Sequence, residues 1–200
     1  MTASRPSLNF CAMNTWQISI EATPNPEAMK FVANQAIAPH PQSFHSVAET
    51  ASSPLAKKLF SFPWAKSVLI GPDFVSVVKQ DWVDWAVLAE PLAQLIQEHL
   101  ERGEGVLVEA KAEAPVEEVQ HSDNPLEQKI IDILNAEIRP AVAMDGGDIL
   151  FQRFEADTGR VYLHMRGACS GCPSSAFTLK EGIEVRLKEA IPEIHEVVAL

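Results

Sequence analysis

The amino-terminal half of the chain begins with alternating apolar and polar residues. Trp16, Ile18 and Ile20 fall on one side of WQISIEA, which predicts a half-buried β-strand. Further strands are predicted over MKFVAN and over the two halves of SVLIGPDFVSVVK, where GPD separates two β-rich runs as in a hairpin. Two prolines around an asparagine in TPNPEAMKF predict a rigid turn before the second strand. These runs together indicate an antiparallel sheet.

Two helices are predicted to accompany this sheet. The segment SSPLAKKLFSF has Ser53 as an N-cap and Pro54 at the first helical position. The segment DWVDWAVLAEPLAQLIQEHLERG ends at Gly103 and places four apolar residues on one helical face, namely Leu92, Leu95, Ile96 and Leu100. Pro91 lies inside this pattern, so the helix either kinks there or begins its regular part there. The first half is therefore predicted to be an α+β domain.

A polar, acidic stretch separates the two halves. EAKAEAPVEEVQHSDNP has two prolines and no apolar periodicity, which favours an interdomain linker over a loop inside one domain. The predicted fold is therefore two small α+β domains joined by an acidic flexible linker. The predicted boundaries are a disordered tail over 1–14, a first domain over 15–109, a linker over 110–124 and a second domain over 125–200.

The second half predicts the order helix, strand, strand, cysteine turn, helix, strand. Its first helix follows the cap Asn124, is predicted to stop at Arg139-Pro140, and has one apolar face made of Leu126, Ile130, Ile133, Leu134 and Ile138. ILFQRF and RVYLHM predict an antiparallel hairpin. A helix begins at Pro173, and IHEVVAL forms a final strand. We identify no βαβ unit in this pattern.

Composition and charge narrow the classes of function. The chain has 200 residues and a formal net charge of −11, which does not favour binding to nucleic-acid phosphate or to an anionic bilayer. No apolar run approaches the ~20 residues of a membrane span. Three cysteines do not make a secreted disulfide framework, so a reducing compartment is expected. The N-terminus lacks the apolar core of a signal peptide and has few arginines, which favours a bacterial cytoplasm over a mitochondrial matrix.

The sequence GACSGCPSS holds two of the three cysteines, Cys169 and Cys172, between a strand end and a helix start. The unpaired N–H groups and positive end of the helix should favour the thiolate form of these cysteines. Small Gly167 and Gly171 let backbone N–H groups approach sulfur, and the following serines add hydroxyl donors. Cys11, which a start at Met13 would remove, is expected to lie in the mobile tail.

A count of ligands predicts a site shared between two chains. A zinc site or a cuboidal iron–sulfur cluster takes about four protein ligands, and one chain offers Cys169 and Cys172. His164 is the nearest further candidate, although a histidine on a strand surface explains it as well. A two-fold dimer would supply Cys₄ across its interface. The acidic residues Asp145 and Asp148 of MDGGD are expected to form a glycine-containing turn that enters a strand.

The residue types alone leave three functions open. The first is a non-enzymatic iron–sulfur carrier, because an exposed and shared site suits a cluster that is given away. The second is a dithiol oxidoreductase, which also places CxxC at a helix N-terminus but needs a βαβ unit. The third is a structural zinc-bridged dimer, because Cys₄ serves both metals.

Two long segments resemble a known family. IIDILNAEIRPAVAMDGGDILFQ and VYLHMRGACSGCPSSAFTLKEGIEVRL closely resemble the C-terminal NifU-type domain of Nfu iron–sulfur proteins, over about residues 126–198. TPNPEAMKF and SPLAKKLFSFPWAKSVLIGPDFVSVVK resemble the Nfu N-terminal domain. The resemblance implies a labile [4Fe–4S] cluster held between the two subunits of a homodimer, with Cys169 and Cys172 as ligands.

The same resemblance implies how the cluster is used. It would be received from an upstream scaffold and passed to apo iron–sulfur enzymes, without catalysis by the chain itself. The N-terminal domain of the family binds no cluster and is linked to recognition of partners or clients. The resemblance chooses iron over zinc, which the ligand count does not.

Overall fold

A computed structural model describes residues 16–108, 121–170 and 173–200 of the chain. They form two α+β domains, each with its own apolar core, as predicted. The predicted tail over 1–14 and residues 110–120 of the predicted linker lie outside the described residues.

The N-terminal domain contains a five-stranded antiparallel sheet in the order β1-β2-β5-β4-β3. Its strands are β1 (Ile18–Ala22), β2 (Ala28–Ala33), β3 (Gln42–Phe44), β4 (Ala65–Ile70) and β5 (Phe74–Lys79). The four strands predicted from the sequence, β1, β2, β4 and β5, are confirmed. The edge strand β3 was missed because three residues are too few to show a period of two.

Two α-helices complete this domain, α1 (Pro54–Leu59) and α2 (Trp85–Glu101), with a short 3₁₀ helix over Val47–Ser52 before them. The Ser53 hydroxyl accepts the Ala56 N–H at 3.0 Å, which confirms the predicted N-cap. Helix α2 runs through Pro91, so the alternative in which its regular part begins at that proline is wrong. No helix in the described part of the chain is long and apolar enough to cross a membrane.

The sheet of the N-terminal domain buries both of its faces. Val68, Val75 and Val77 belong to the apolar core beneath α1 and α2. Strand residues alternate between faces, so Leu69 and Ser76 lie on the opposite side. Both are completely buried. This opposite face is therefore also covered, by the second domain.

The C-terminal domain begins with a helix that continues past the predicted stop. Helix α3 (Pro125–Ile133), capped by Asn124, leads through a π-turn at Leu134–Ile138 into α4 (Arg139–Met144). The prediction that the helix ends at Arg139-Pro140 is wrong. A proline ring clashes with the carbonyl four residues earlier in a regular helix. In the π-turn the Arg139 N–H donates to the Leu134 carbonyl five residues earlier, and we attribute the continuation to this wider turn.

The sheet of this domain contains β6 (Gly147–Glu155), β7 (Arg160–Gly167) and β8 (Glu196–Ala199), and helix α5 (Pro173–Ala190) connects the last two. Strands β6 and β7 form the predicted antiparallel hairpin. Strand β8 pairs with β7 in parallel, so β7, α5 and β8 are a βαβ unit. The prediction that the chain has no such unit is wrong, because strand direction follows from the crossover of α5 and is not visible in the apolar pattern.

Candidate functional site

The cysteine loop connects the end of β7 to the start of α5, inside the βαβ unit. Gly167 ends the strand with a φ of +62°, a conformation that favours glycine. The Ala168 N–H donates to the Gly146 carbonyl at 3.1 Å, and the Ser170 N–H donates to the Gly167 carbonyl at 3.0 Å. The Ser170 hydroxyl also donates to that Gly167 carbonyl, at 2.9 Å. The loop is therefore a hydrogen-bonded turn.

Cys169 lies in the core of the C-terminal domain and not on its surface. Cys169 is 6% exposed and belongs to the apolar cluster of that core. A Cβ atom added to Gly147 would overlap the Cys169 Sγ, so the first residue of β6 must be glycine to accommodate the sulfur. The structure therefore provides a dedicated space for this thiol.

Burial raises the pKa of the Cys169 thiol to about 12, and the nearby carboxylates of Asp145 and Asp148 act in the same direction. The prediction that the helix start favours the thiolate is wrong for Cys169 in this conformation. The sulfur is withdrawn from water, and desolvation opposes charge more strongly than a helix end four residues away can favour it. The thiol is therefore neutral as the structure holds it.

Among the other ligand candidates, His164 belongs to the described residues and does not lie beside Cys169. Cys172, Gly171 and Cys11 lie outside the described residues. His164 alternates along β7 with residues of the core that contains Cys169, so it lies on the opposite face of the sheet. Its pKa is lowered by burial and by the neighbouring Arg166 and His45. Within the described residues, no group of three or more His, Cys, Asp or Glu side chains converges on one point.

The MDGGD segment fixes the strand that packs beside Cys169. Asp145 and Gly146 form the turn, with a φ of +77° at Gly146, while Asp148 already belongs to β6. The Arg139 guanidinium donates to both carboxylate oxygens of Asp148, at 2.9 and 3.2 Å. This bidentate pair ties the start of α4 to the start of β6. The segment is therefore a structural support for the cysteine loop.

A cavity of about 700 Å³ opens beside Cys169. Its walls come mainly from α4, α5 and the cysteine loop, and they include Val142, Asp145, Leu179 and Ile183. Pro24 of the N-terminal domain also lines it. The site therefore has a wall from each of the two domains.

A residue of the N-terminal domain that no sequence pattern indicated contacts the cysteine loop. The Asn25 side-chain amide donates to the Ala168 carbonyl at 3.0 Å and to the Ser170 carbonyl at 3.3 Å. These two carbonyls flank Cys169, and Asn25 is completely buried. The proline-flanked asparagine in TPNPEAMKF predicted the turn correctly. No local pattern shows that its side chain reaches a loop more than a hundred residues away.

The two sheets pack against each other around this contact. Strand β7 lies against β4 and β5 of the N-terminal domain. Ala28, Val78 and Ala168 form a small apolar cluster between the domains. A Cβ atom on Gly167 would lie 2.5 Å from the Leu69 Cδ2, so the end of β7 approaches β4 closely. The described start of the cysteine loop, Ala168 and Cys169, is therefore enclosed by both domains.

Two domain families match the chain. The NifU-like domain matches residues 130–198, and the N-terminal domain described as scaffold protein Nfu/NifU matches residues 18–103. These matches and the enclosed cysteine loop define a class of two-domain proteins with an Nfu-type N-terminal half and a NifU-type C-terminal half.

Several relatives match along nearly the whole chain. A NifU-like protein of Schizosaccharomyces pombe is 37% identical over 96% of this chain and 76% of its own length. A Drosophila willistoni protein named NFU1 iron-sulfur cluster scaffold homolog, mitochondrial, is 37% identical over 98% of this chain and 68% of its own length. NifU-like protein 5, mitochondrial, of Arabidopsis thaliana is 36% identical over 92% of this chain and 67% of its own length. The chain belongs to the family of NifU-like proteins.

These relatives correct one prediction. The expected bacterial cytoplasmic location is wrong, because the Drosophila and Arabidopsis relatives are named mitochondrial. A low arginine content near the N-terminus was a poor basis for choosing a compartment.

Proposed function

We propose that the chain is a non-enzymatic carrier of iron–sulfur clusters that holds a [4Fe–4S] cluster as cargo between two copies of itself. Cys169 and Cys172 of each copy would supply the four thiolate ligands. The observation that carries the proposal is the CxxC loop between β7 and α5, in a domain of the NifU-like family. Relatives named as iron–sulfur cluster scaffolds support the same cargo.

The route of the cluster follows from this cargo. An upstream scaffold would donate it, apo iron–sulfur enzymes would accept it, and the N-terminal domain would contribute to partner recognition. Two relatives are named mitochondrial, which supports a mitochondrial location for this function.

The donor set supports cargo held across two chains. Cys169 and Cys172 are two thiols, and a cuboidal cluster takes four. The thiolate is the form that ligates metal, yet burial holds the Cys169 thiol neutral by raising its pKa to about 12. The Cys169 sulfur also packs against Gly147 and within the apolar core. Cluster loading would therefore move the loop out of the enclosed position that the structure describes.

A dithiol oxidoreductase is the second candidate, because the βαβ unit places the CxxC loop at the N-terminus of a helix beside a parallel strand pair. The raised pKa of Cys169 argues against it, since an attacking thiol needs an accessible thiolate. An insulin-reduction assay on the cluster-free protein separates the two. Turnover would favour the oxidoreductase, and its absence would favour the carrier.

Anaerobic reconstitution with iron and sulfide tests the carrier proposal. The expected product is a brown dimer with about four iron and four sulfide ions per two subunits. Cys169→Ala and Cys172→Ala should each abolish cluster binding, whereas Cys11→Ala serves as the matched control and should not. A wild-type protein that stays colourless and monomeric would contradict the proposal. Zinc without sulfide in anaerobically purified protein would favour the zinc-bridged dimer instead.

A further inference from the structure

The Asn25 side chain is held in place from both ends. Its Oδ1 accepts the Glu27 N–H at 2.9 Å within the N-terminal domain, and its amide group donates across the domain boundary to the Ala168 and Ser170 carbonyls. The Asn25 backbone carbonyl accepts the Thr23 hydroxyl at 2.8 Å and the Ala28 N–H at 2.9 Å. The turn is therefore rigid, and its amide is aimed at the cysteine loop.

The two carbonyls that Asn25 binds belong to the residues directly before and after Cys169. Fixing both carbonyls fixes the backbone that carries the cysteine, and with it the direction of the side chain. In this arrangement the sulfur lies against Gly147 and within the core. Asn25 therefore couples the position of the N-terminal domain to the backbone on both sides of Cys169.

The interface that carries this contact has features of one that opens. The hydroxyls of Ser67 and Ser76 and the Nδ1 atom of His164 are buried, and none has a hydrogen-bond partner among the described residues. By strand alternation all three lie on the sheet faces between the domains. A buried polar group without a partner costs free energy that hydration would return on separation. Each domain keeps its own core when the two separate.

We propose that Asn25 is a positioning residue, through which the N-terminal domain holds the cysteine loop in a form with the Cys169 sulfur buried. The loop must be released from Asn25 before Cys169 can bind cargo. The inference rests on the proposed function for its biological meaning, but the contact and its effect on the thiol can be measured without a cluster.

The test is the rate at which Cys169 of the cluster-free protein reacts with a maleimide at fixed pH. A background with Cys11→Ser and Cys172→Ser leaves it as the single thiol. Asn25→Asp keeps the oxygen that accepts the Glu27 N–H but replaces the donor amide with a carboxylate facing two carbonyls. Asn34→Asp is the matched control, because Asn34 is exposed and its side chain accepts the Gln17 N–H within the N-terminal domain.

Asn25→Asp is expected to raise the labelling rate by at least about tenfold, since two hydrogen bonds that close the loop are lost. Tenfold corresponds to about 1.4 kcal/mol in the opening equilibrium. The control should label at the wild-type rate. A new carboxylate near the thiol would by itself slow labelling, so an increase reports opening. The thermal unfolding midpoint should change little, which separates positioning from loss of folding.

Ser76→Phe provides a second variant that does not touch the loop. The Ser76 Oγ would lie 3.3 Å from a Cβ atom on Gly146, so a phenyl ring there should separate the sheets and raise the labelling rate as well. Wild-type labelling rates in both variants, with unchanged folding, would overturn the inference.

Anaerobic iron and sulfide loading of the same Asn25→Asp substitution in the protein with all its cysteines keeps the two proposals apart. If labelling accelerates but neither wild type nor variant binds a cluster, the inference stands and the proposed function fails. If both proteins bind a cluster and labelling is unchanged, the inference fails and the proposed function stands.

Discussion

Gly147 provides the sharpest test of how the structure places Cys169. A methyl group at this position would overlap the Cys169 Sγ, and it would also lie 3.1 Å from the Val142 Cγ1 and 3.2 Å from the Arg166 carbonyl oxygen. Two of these neighbours belong to the packed core and the third is strand backbone, so none can move freely. Overpacking of this kind costs about 1 to 3 kcal/mol. We expect Gly147→Ala to destabilise the C-terminal domain by this amount.

The chain contains a matched control at Gly182 in the middle of α5. A methyl group there would meet nothing within 4 Å. Gly182→Ala should therefore stabilise the helix by about 0.5 to 1 kcal/mol, because alanine loses less backbone entropy than glycine. Replacing glycine with alanine is thus expected to lower the free energy of unfolding at position 147 and to raise it at position 182.

A double-mutant cycle assigns the effect to the sulfur. Cys169→Ala removes the Sγ, so Gly147→Ala should cost about 1 kcal/mol less in that background than in the wild type. Urea unfolding followed by far-UV circular dichroism measures the four free energies. Tryptophan fluorescence monitors the N-terminal domain separately, because all four tryptophans lie there. A Gly147→Ala protein as stable as wild type, or a cycle with no coupling, would refute the placement of the sulfur.

Two further predictions follow from the charges around the site. Arg139→Gln leaves the buried Asp148 carboxylate without its bidentate partner and should lower the free energy of unfolding in urea by about 3 to 5 kcal/mol. Arg102→Gln breaks an exposed pair and should cost less than about 0.5 kcal/mol. Equal effects of the two substitutions would contradict the structure. Burial lowers the pKa of His164, and the neighbouring Arg166 and His45 act in the same direction. Protonation of His164 therefore opposes the packed form, so packing is favoured above the ordinary histidine pKa of about 6.5 and weakens as pH falls below it. Small-angle scattering should show that the radius of gyration increases as pH falls from about 7.5 to 5.5. His164→Gln should reduce this increase. An increase of the same size in the variant would contradict the assignment to His164.

Regular features with strong local patterns could be predicted from the sequence. Alternation of apolar and polar residues predicted strand β1, and the GPD turn predicted the hairpin around it. Side-chain chemistry within a few residues predicted the caps at Ser53 and Asn124. The position of the cysteine loop between a strand and a helix was predicted in the same way and is confirmed.

The features that were missed depend on distant parts of the chain. The parallel pairing of β8 depends on where α5 returns the chain. The continuation of α3 into α4 is a local exception, because it depends on a π-turn that the apolar pattern does not show. The pKa of Cys169 was predicted from the helix end, a local feature, but burial decides it. Burial results from packing between residues that are distant in the sequence, which no short motif shows. The hydrogen bond from Asn25 to Ala168 also joins distant residues and could not be predicted for the same reason.

The turn that carries Asn25 is flanked by Pro24 and Pro26 and is braced by the Thr23 hydroxyl. Each proline fixes its own φ and restrains the residue before it. The turn therefore loses little conformational entropy when it meets the cysteine loop, and it gains little when it leaves. Closing again after release would need no local refolding of the turn. A few contacts can then set the equilibrium between the form in which Asn25 binds the cysteine loop and the form in which the loop is released. The two forms can interconvert as fast as the two domains move relative to each other.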